Sequence, residues 1–245
     1  MRPPSPVTFR TAAALAAVAL MAAGCGLTDD GARPGVAAEV DGQTLELSQV
    51  DQAVEDYCDL LASNEQFSAV PTALVRGQFA QGWTRAVAID SLATEMGLSL
   101  PPEAIDRSTV EGLWMELGEV DDDNYDSFEW LTWVQLRLST TAEKVGAATV
   151  LKETGQSVSG EQAINVGVSI ADDWLAEHEP ELNPVFGEYN PETGYFDGDA
   201  LSIPVSQEAG SVVDTSKLTA EQVNALPADQ RCGPETPPAP AVPGA

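Results

Sequence analysis

Val36-Ala37-Ala38-Glu39-Val40-Asp41-Gly42-Gln43-Thr44-Leu45-Glu46-Leu47-Ser48 is the stretch on which the fold turns. Residues 36–40 and 43–47 are short and β-compatible, and Asp41-Gly42 between them supplies the positive φ that a two-residue hairpin turn demands. Ser48 then suits the cap of a helix starting near Gln49. Asp51 and Glu55 fall in its early turns, where carboxylates complement the free backbone N–H groups. Val50, Val54, Tyr57 and Leu61 recur at three and four residues and mark the buried face of that helix.

Downstream the period stays helical. Pro71 fits the first turn of a second helix; Val75, Phe79, Trp83, Val87 and Met96 form its apolar stripe, and Gly97 suits its end. Pro101 and Pro102 are read as the opening of a third helix, with Ile105, Val110, Leu113 and Leu117 on its apolar side and Gly118 at its end. Asp121-Asp122-Asp123-Asn124 is the densest acidic spot. A calcium loop needs Gly at its sixth position and Glu at its twelfth. Counted from Asp121 these are Asp126 and Thr132, and from Asp122 they are Ser127 and Trp133, so both registers fail and no metal is expected. The same acids suit a helix N-terminus. A fourth and longest helix follows through Leu131, Val134, Leu138, Ala142, Val145 and Thr149, with Gly146 as a point of kinking or weakness. After a Gly/Ser-bearing break at 155–160, a fifth helix carries Ala163, Val166, Ile170 and Trp174. Asn183-Pro184 stops helix formation. Residues 185–189 and 201–205 read as strands and 220–226 as a short helix. The Pro/Ala-rich end, 233–245, lacks periodicity and reads as a disordered tail. The expected fold is mainly α with a small β-sheet, five longer helices joined by a ribbon that unites the two ends of the domain.

The compartment is read from the N-terminal end. Arg2 and Arg10 precede a short apolar run, and Ala22-Ala23-Gly24 stand before Cys25. A positive leader, a brief apolar stretch and small residues before a cysteine form a secretory signal of the lipoprotein type. The run is too short to span a bilayer, which takes about 20 residues. The expectation is a signal peptide at 1–24, cut before Cys25, whose thiol carries the lipid, palmitate among its acyl chains, and a small, polar, turn-rich tether at 25–35. A plain secretory signal with a small-residue cut is the alternative. The protein is then extracytoplasmic, lipid-anchored on the outer face of the cell membrane.

Acids outnumber bases 39 to 11. That argues against nucleic acid, whose phosphates need Lys and Arg, and against electrostatic docking on anionic lipid, leaving the acyl chains to hold the protein at the membrane. With Cys25 lipidated, Cys58 and Cys232 remain in an oxidising space, either as a disulfide or as two free thiols.

The Ala-x-Val-x-Gly start, here Ala38-Glu39-Val40-Asp41-Gly42, followed by a helix from a small polar residue, resembles the N-terminal module of the SurA and PrsA extracytoplasmic chaperones. Asn183-Pro184-Val185-Phe186-Gly187-Glu188-Tyr189-Asn190-Pro191 looks like the strand segment that ends this module in lipoprotein members. Asp41 stands where Asn is usual. The resemblance implies a SurA N-terminal-like domain over 36–232, of the trigger-factor/SurA peptide-binding type, in which the returning chain packs near its start. A disulfide from Cys58 to Cys232 suits that return. Many relatives also carry a parvulin-type prolyl isomerase domain with clustered His; here the single histidine, His178, reads as a partner of a helix C-terminus, and no isomerase domain is expected.

No Gly-x-Ser-x-Gly elbow, Walker loop or Cys-x-x-Cys occurs, so no catalytic residue and no cofactor is expected, and the protein is read as not an enzyme. A chaperone needs apolar surface that clients reach, held in a groove. Trp114, Met115, Phe128, Trp130 and Trp133 cluster around the third-to-fourth helix junction and are the candidate client-binding residues. Core packing of Trp130 and Trp133 is the competing reading. The expected function is an ATP-independent holdase whose partners are unfolded or partly folded secreted polypeptides. The alternatives are a lipoprotein scaffold for one envelope partner and a solute-binding lipoprotein, which would need two α/β lobes.

Overall fold

The computed structural model describes residues 33–186, 188–190, 195–197 and 218–234. Cys25, the signal peptide, the strand candidate at 201–205 and the tail beyond 234 lie outside the described residues. What is described is mainly helical, with a small antiparallel sheet.

β1 (Val36–Val40) and β2 (Gln43–Glu46) form the expected hairpin. Asp41 (φ 49°) and Gly42 (φ 72°) are both left-handed, as a two-residue turn matching strand twist requires. The Ser91 hydroxyl donates to Asp41 Oδ2 (2.7 Å) and ties the turn to the second helix. α1 (Leu47–Ala62) begins two residues earlier than expected. Glu46 takes the flanking extended position and Ser48 lies inside the helix, so the Ser48 cap is corrected: the Leu47 N–H donates to the Gly35 carbonyl (2.7 Å) instead.

α2 (Thr72–Glu95) starts one residue after Pro71, which pairs in the short strand β3 (Val70–Pro71) rather than in the first helical turn. Met96 falls beyond the helix and is exposed. Ala86, Val87, Ala88 and Ile89 are all fully buried, so α2 is enclosed on every side along this turn, which a one-sided stripe did not foretell. α3 (Arg107–Trp114) begins well after Pro101 and Pro102, at Asp106, whose carboxylate accepts from the Thr109 N–H (3.0 Å). The cap outcompetes the prolines because it satisfies a free N–H. Leu113, expected on the apolar side, is exposed.

The acidic run does precede a helix. Asp121 Oδ1 accepts from the N–H groups of Asp123 and Asn124, and α4 (Tyr125–Leu136) follows. The expected long helix continues through one π turn (Arg137–Thr141) into α5 (Ala142–Thr154). The irregularity therefore lies at 137–141 and not at Gly146. Gly146 serves close packing: a Cβ there would stand 1.9 Å from the Ala163 carbonyl oxygen, and one at Gly167 would stand 2.1 Å from that of Ala142. α6 (Glu161–His178) thus buries Ala163, Gly167, Ala171, Trp174 and Leu175 against its neighbours, while Val166 and Ile170 are only half-buried. Arg85 of α2 grips Asp172 of α6 through two bonds (2.6 and 2.8 Å).

The chain returns to its start earlier than expected. β4 (Glu181–Leu182) pairs with β1, giving the sheet order β2-β1-β4. Asn183 adds bonds from its N–H to the Ala37 carbonyl (2.8 Å) and from Nδ2 to the Val36 carbonyl (2.8 Å). The expected strand at 185–189 holds only at its end: Pro184–Phe186 is a 3-10 turn, while β5 (Glu188–Asn190) is a strand and pairs with β6 (Tyr195–Asp197), not with β1. α7 (Ala220–Asn224) opens on a capping box of Thr219 and Gln222. β7 (Arg231–Cys232) pairs with β3, and Cys232 forms a disulfide with Cys58 of α1. His178 Nδ1 donates to the Trp174 carbonyl (2.7 Å) in the last turn of α6, and its ring stacks on that of Trp174 (3.7 Å between centroids).

The disulfide spans 174 residues, and closing so long a loop removes unfolded-state entropy worth about 5 kcal/mol in the chain-entropy model. Cys58→Ser/Cys232→Ser is expected to lower the urea midpoint by an amount corresponding to a loss of about 2–5 kcal/mol, read by far-UV circular dichroism. An unchanged midpoint would show that the bond does not constrain the fold.

Candidate functional site

Four positions on α4, Asp126, Glu129, Trp130 and Trp133, are spaced at three and four residues and therefore share one face. The adjoining side of α4 supplies Phe128, Leu131 and Val134 to the core. The shared face borders a cleft of about 640 Å³. Gln43 and Thr44 of β2, Gln49 of α1, Trp83 of α2 and residues 103–105 of the α2–α3 connection complete its walls. Three of the protein's five tryptophans therefore meet there.

The tryptophans are held firmly. Trp130 meets Phe79 edge to face (6.2 Å between centroids), Phe79 meets Tyr57 (5.3 Å), Tyr57 meets Trp114 (6.3 Å) and Trp114 meets Phe128 (5.3 Å). Contacts of this kind are each worth about 0.5–1.5 kcal/mol beyond burial. This ladder joins the cleft to the smaller core cluster of Val110, Val120, Phe128 and Leu131. Burial raises the Tyr57 phenol above its usual pKa, so the ring stays neutral within the ladder. Behind Trp133 lies the guanidinium of Arg137, 4.4 Å from the ring centroid. Arg137 is the first residue of the π turn, is buried, and donates through Nε to Asp90 Oδ2 (3.2 Å). Burial pushes the Asp90 carboxyl above its ordinary pKa, the Arg137 charge and hydrogen bond draw it back in part, and the nearby Glu103 charge pushes it up again.

Of the five aromatic and Met candidates from the sequence, the structure brings Trp130 and Trp133 to the cleft wall. Phe128 is fully buried and cannot meet a client in this conformation. Trp114 is half-buried, donates from its indole to Thr132 Oγ1 (2.9 Å) and does not line the cleft. Met115 is 71% exposed but does not line the cleft. Trp83 was placed by its period on a buried stripe; it is buried, yet it reaches the cleft where α2 passes beneath α4. No local spacing would have marked it, because its neighbours in the cleft come from other elements. The 126/129/130/133 spacing was legible, and it is the signal that joins the acids to the tryptophans.

Chemically the cleft offers indole faces to apolar groups and cations, and carboxylates to positive charge. An ammonium or guanidinium over an indole face gains about 0.5–2 kcal/mol. A second cleft of about 540 Å³ lies beside the disulfide; there Arg76 pairs with Asp51, so its charge is already balanced in part. Among the described residues, no group of three or more His, Cys, Asp or Glu is placed to hold a metal ion, and no helix is long and apolar enough to cross a membrane. Comparison with known proteins returns no match to a family model, a curated protein or a solved structure.

The Asp90–Arg137 pair supports Trp133 from behind. Removing one partner leaves a buried charge alone, which costs about 3–5 kcal/mol. Asp90→Ala is expected to reduce unfolding free energy by that amount, whereas Asp90→Leu/Arg137→Met recovers most of it, both measured by chemical denaturation. Equal stability of Asp90→Ala and the native protein would remove the pair from this role.

Proposed function

We propose that this protein is an extracytoplasmic lipoprotein that acts as an ATP-independent holdase, anchored on the outer face of the cell membrane through acyl chains on Cys25, and that its body is a SurA N-terminal-like domain. The observation that carries the reading is the open cleft walled by Trp83, Trp130 and Trp133. Rigid, flat, amphipathic faces bind varied apolar segments without needing a matching shape. A cleft of this volume accepts a short length of extended chain, and holding the indoles in a concave wall limits self-association. The returning strand β4 beside β1 supports the kinship in outline, with Glu181–Leu182 in the ribbon in place of the segment after residue 185 that the resemblance implied, which pairs with itself as β5 and β6. The helical architecture gives no support to a solute-binding lipoprotein, which would need two α/β lobes.

A scaffold that holds one folded envelope partner is the competing reading. Pull-down from envelope extract separates the two: a holdase recovers many partners weakly, a scaffold one partner tightly. Within the holdase reading, Trp130→Ala/Trp133→Ala is expected to require several-fold more protein for equal suppression of aggregation of a chemically unfolded test protein, with the far-UV spectrum retained. Undiminished suppression would count against the cleft as the client site. Metabolic labelling with an alkyne fatty acid is expected to mark the native protein and not Cys25→Ala, which should pass from the membrane fraction to the medium; equal labelling of both would place the lipid elsewhere or nowhere.

A further inference from the structure

The walls of the tryptophan cleft carry an unbalanced charge. Glu103, Asp126 and Glu129 line it, and no Lys, Arg or His does. Among the described residues, none of the three is in a salt bridge. Arg137 is buried behind Trp133 and committed to Asp90. Arg107, on the neighbouring helix, is bound to Glu111 and Asp122 and lies over Tyr125. Negative potential thus concentrates where the half-buried indoles of Trp130 and Trp133 also line the wall, and carboxylates and indoles attract the same kind of group. The rim adds a further element. β2 is the edge strand of its sheet, and its exposed Gln43 and Thr44 border the cleft. An edge strand offers unpaired backbone N–H and C=O groups to an extended chain. A free small cation would have no use for that edge.

We infer that the cleft selects extended polypeptide segments bearing Lys or Arg among apolar residues, with the cationic side chain between the carboxylates and the indoles, and the segment's backbone along β2. The inference rests on the client-binding reading above and assigns its substrate class. The overall negative charge of the chain favours basic ligands everywhere, so charge at the cleft must be separated from charge elsewhere. Glu103→Gln/Asp126→Asn/Glu129→Gln removes three charges at the cleft. Glu153→Gln/Asp173→Asn/Glu177→Gln removes three exposed charges on α5 and α6.

The experiment uses three fluorescent decapeptides of equal apolar content carrying two Arg, two Gln or two Glu, with anisotropy titration of the full protein at low and at physiological salt. The Arg peptide is expected to bind at least tenfold tighter than the Glu peptide, and to weaken several-fold as salt rises. The cleft triple variant should reduce that ratio to near one, keep binding of the Gln peptide, and keep the native far-UV spectrum; the α5/α6 triple variant should leave most of the ratio intact. Equal binding of all three peptides would overturn the charge selection while leaving the holdase reading standing. Equal loss of selectivity in both triple variants would trace it to the general field and overturn the site. Spermidine competing as well as the Arg peptide would identify a small cation as the occupant and overturn the polypeptide. Absence of both peptide binding and aggregation suppression would fell the client-binding reading itself, and this inference with it.

Discussion

The enclosure of α2 is the constraint on which the rest of the structure depends. Ala86, Val87, Ala88 and Ile89 point in four directions around the helix, and each is sealed from solvent. A helix buried all round must be covered from every side, and here the cover is supplied by α1, α4, α5, α6 and the β1 strand. Alanines make this possible, because a short side chain lets a neighbouring backbone approach without a void. The same logic recurs between α5 and α6, where Gly146 and Gly167 leave no room for a Cβ against the facing carbonyls. Such contacts gain dispersion energy over many atom pairs, and they tolerate no enlargement.

With α2 fixed at the centre, the strands that precede and follow the helical body are held in place around it. The hairpin lies against it, with Asp41 bound to Ser91, and β4 adds to the hairpin from the far end of α6. A second closure runs through β7 and the disulfide to α1. The helical body is thus bracketed twice, once by backbone pairing of β4 with β1 and once by the covalent bond from Cys232 to α1. The cleft owes its shape to this bracketing: one wall is the hairpin and the start of α1, the other is α4, and the floor includes Trp83 of α2. The aromatic ladder of Tyr57, Phe79 and Trp114 ties Trp130 of that wall to α1, α2 and α3. The π turn then directs Arg137 inward to Asp90 and under Trp133, coupling the wall of the cleft to the main core.

Individual residues show how far sequence reasoning reached. The Asp41-Gly42 turn, the face of α1 through Val50, Val54 and Leu61, the helix after the acidic run and the pairing of Cys58 with Cys232 are all local or combinatorial signals, and the structure carries each of them. The errors fall where two local signals compete. Ser48 was a better capping residue than Glu46, yet the backbone of Gly35 was within reach and the helix started earlier. Pro101 and Pro102 suited a helix start, yet Asp106 had the side chain that binds a free N–H. Residues 185–189 alternated like a strand, yet Glu181 and Leu182 lay nearer to β1 in space.

The amino-acid order by itself therefore determined the class of the fold, the hairpin that begins it, most helices and the spacing that puts two acids and two tryptophans on one face of α4. These follow from turn chemistry and from a period of 3.6 residues, which act over a few neighbours. Only the tertiary structure decided that Trp83 joins that face, that Phe128 and Trp114 do not line the cleft, and that Glu103 arrives from another connection to a lining without a cation. Those facts depend on how helices cross, and crossing is settled by the packing of small residues far apart in the chain, which no local pattern records.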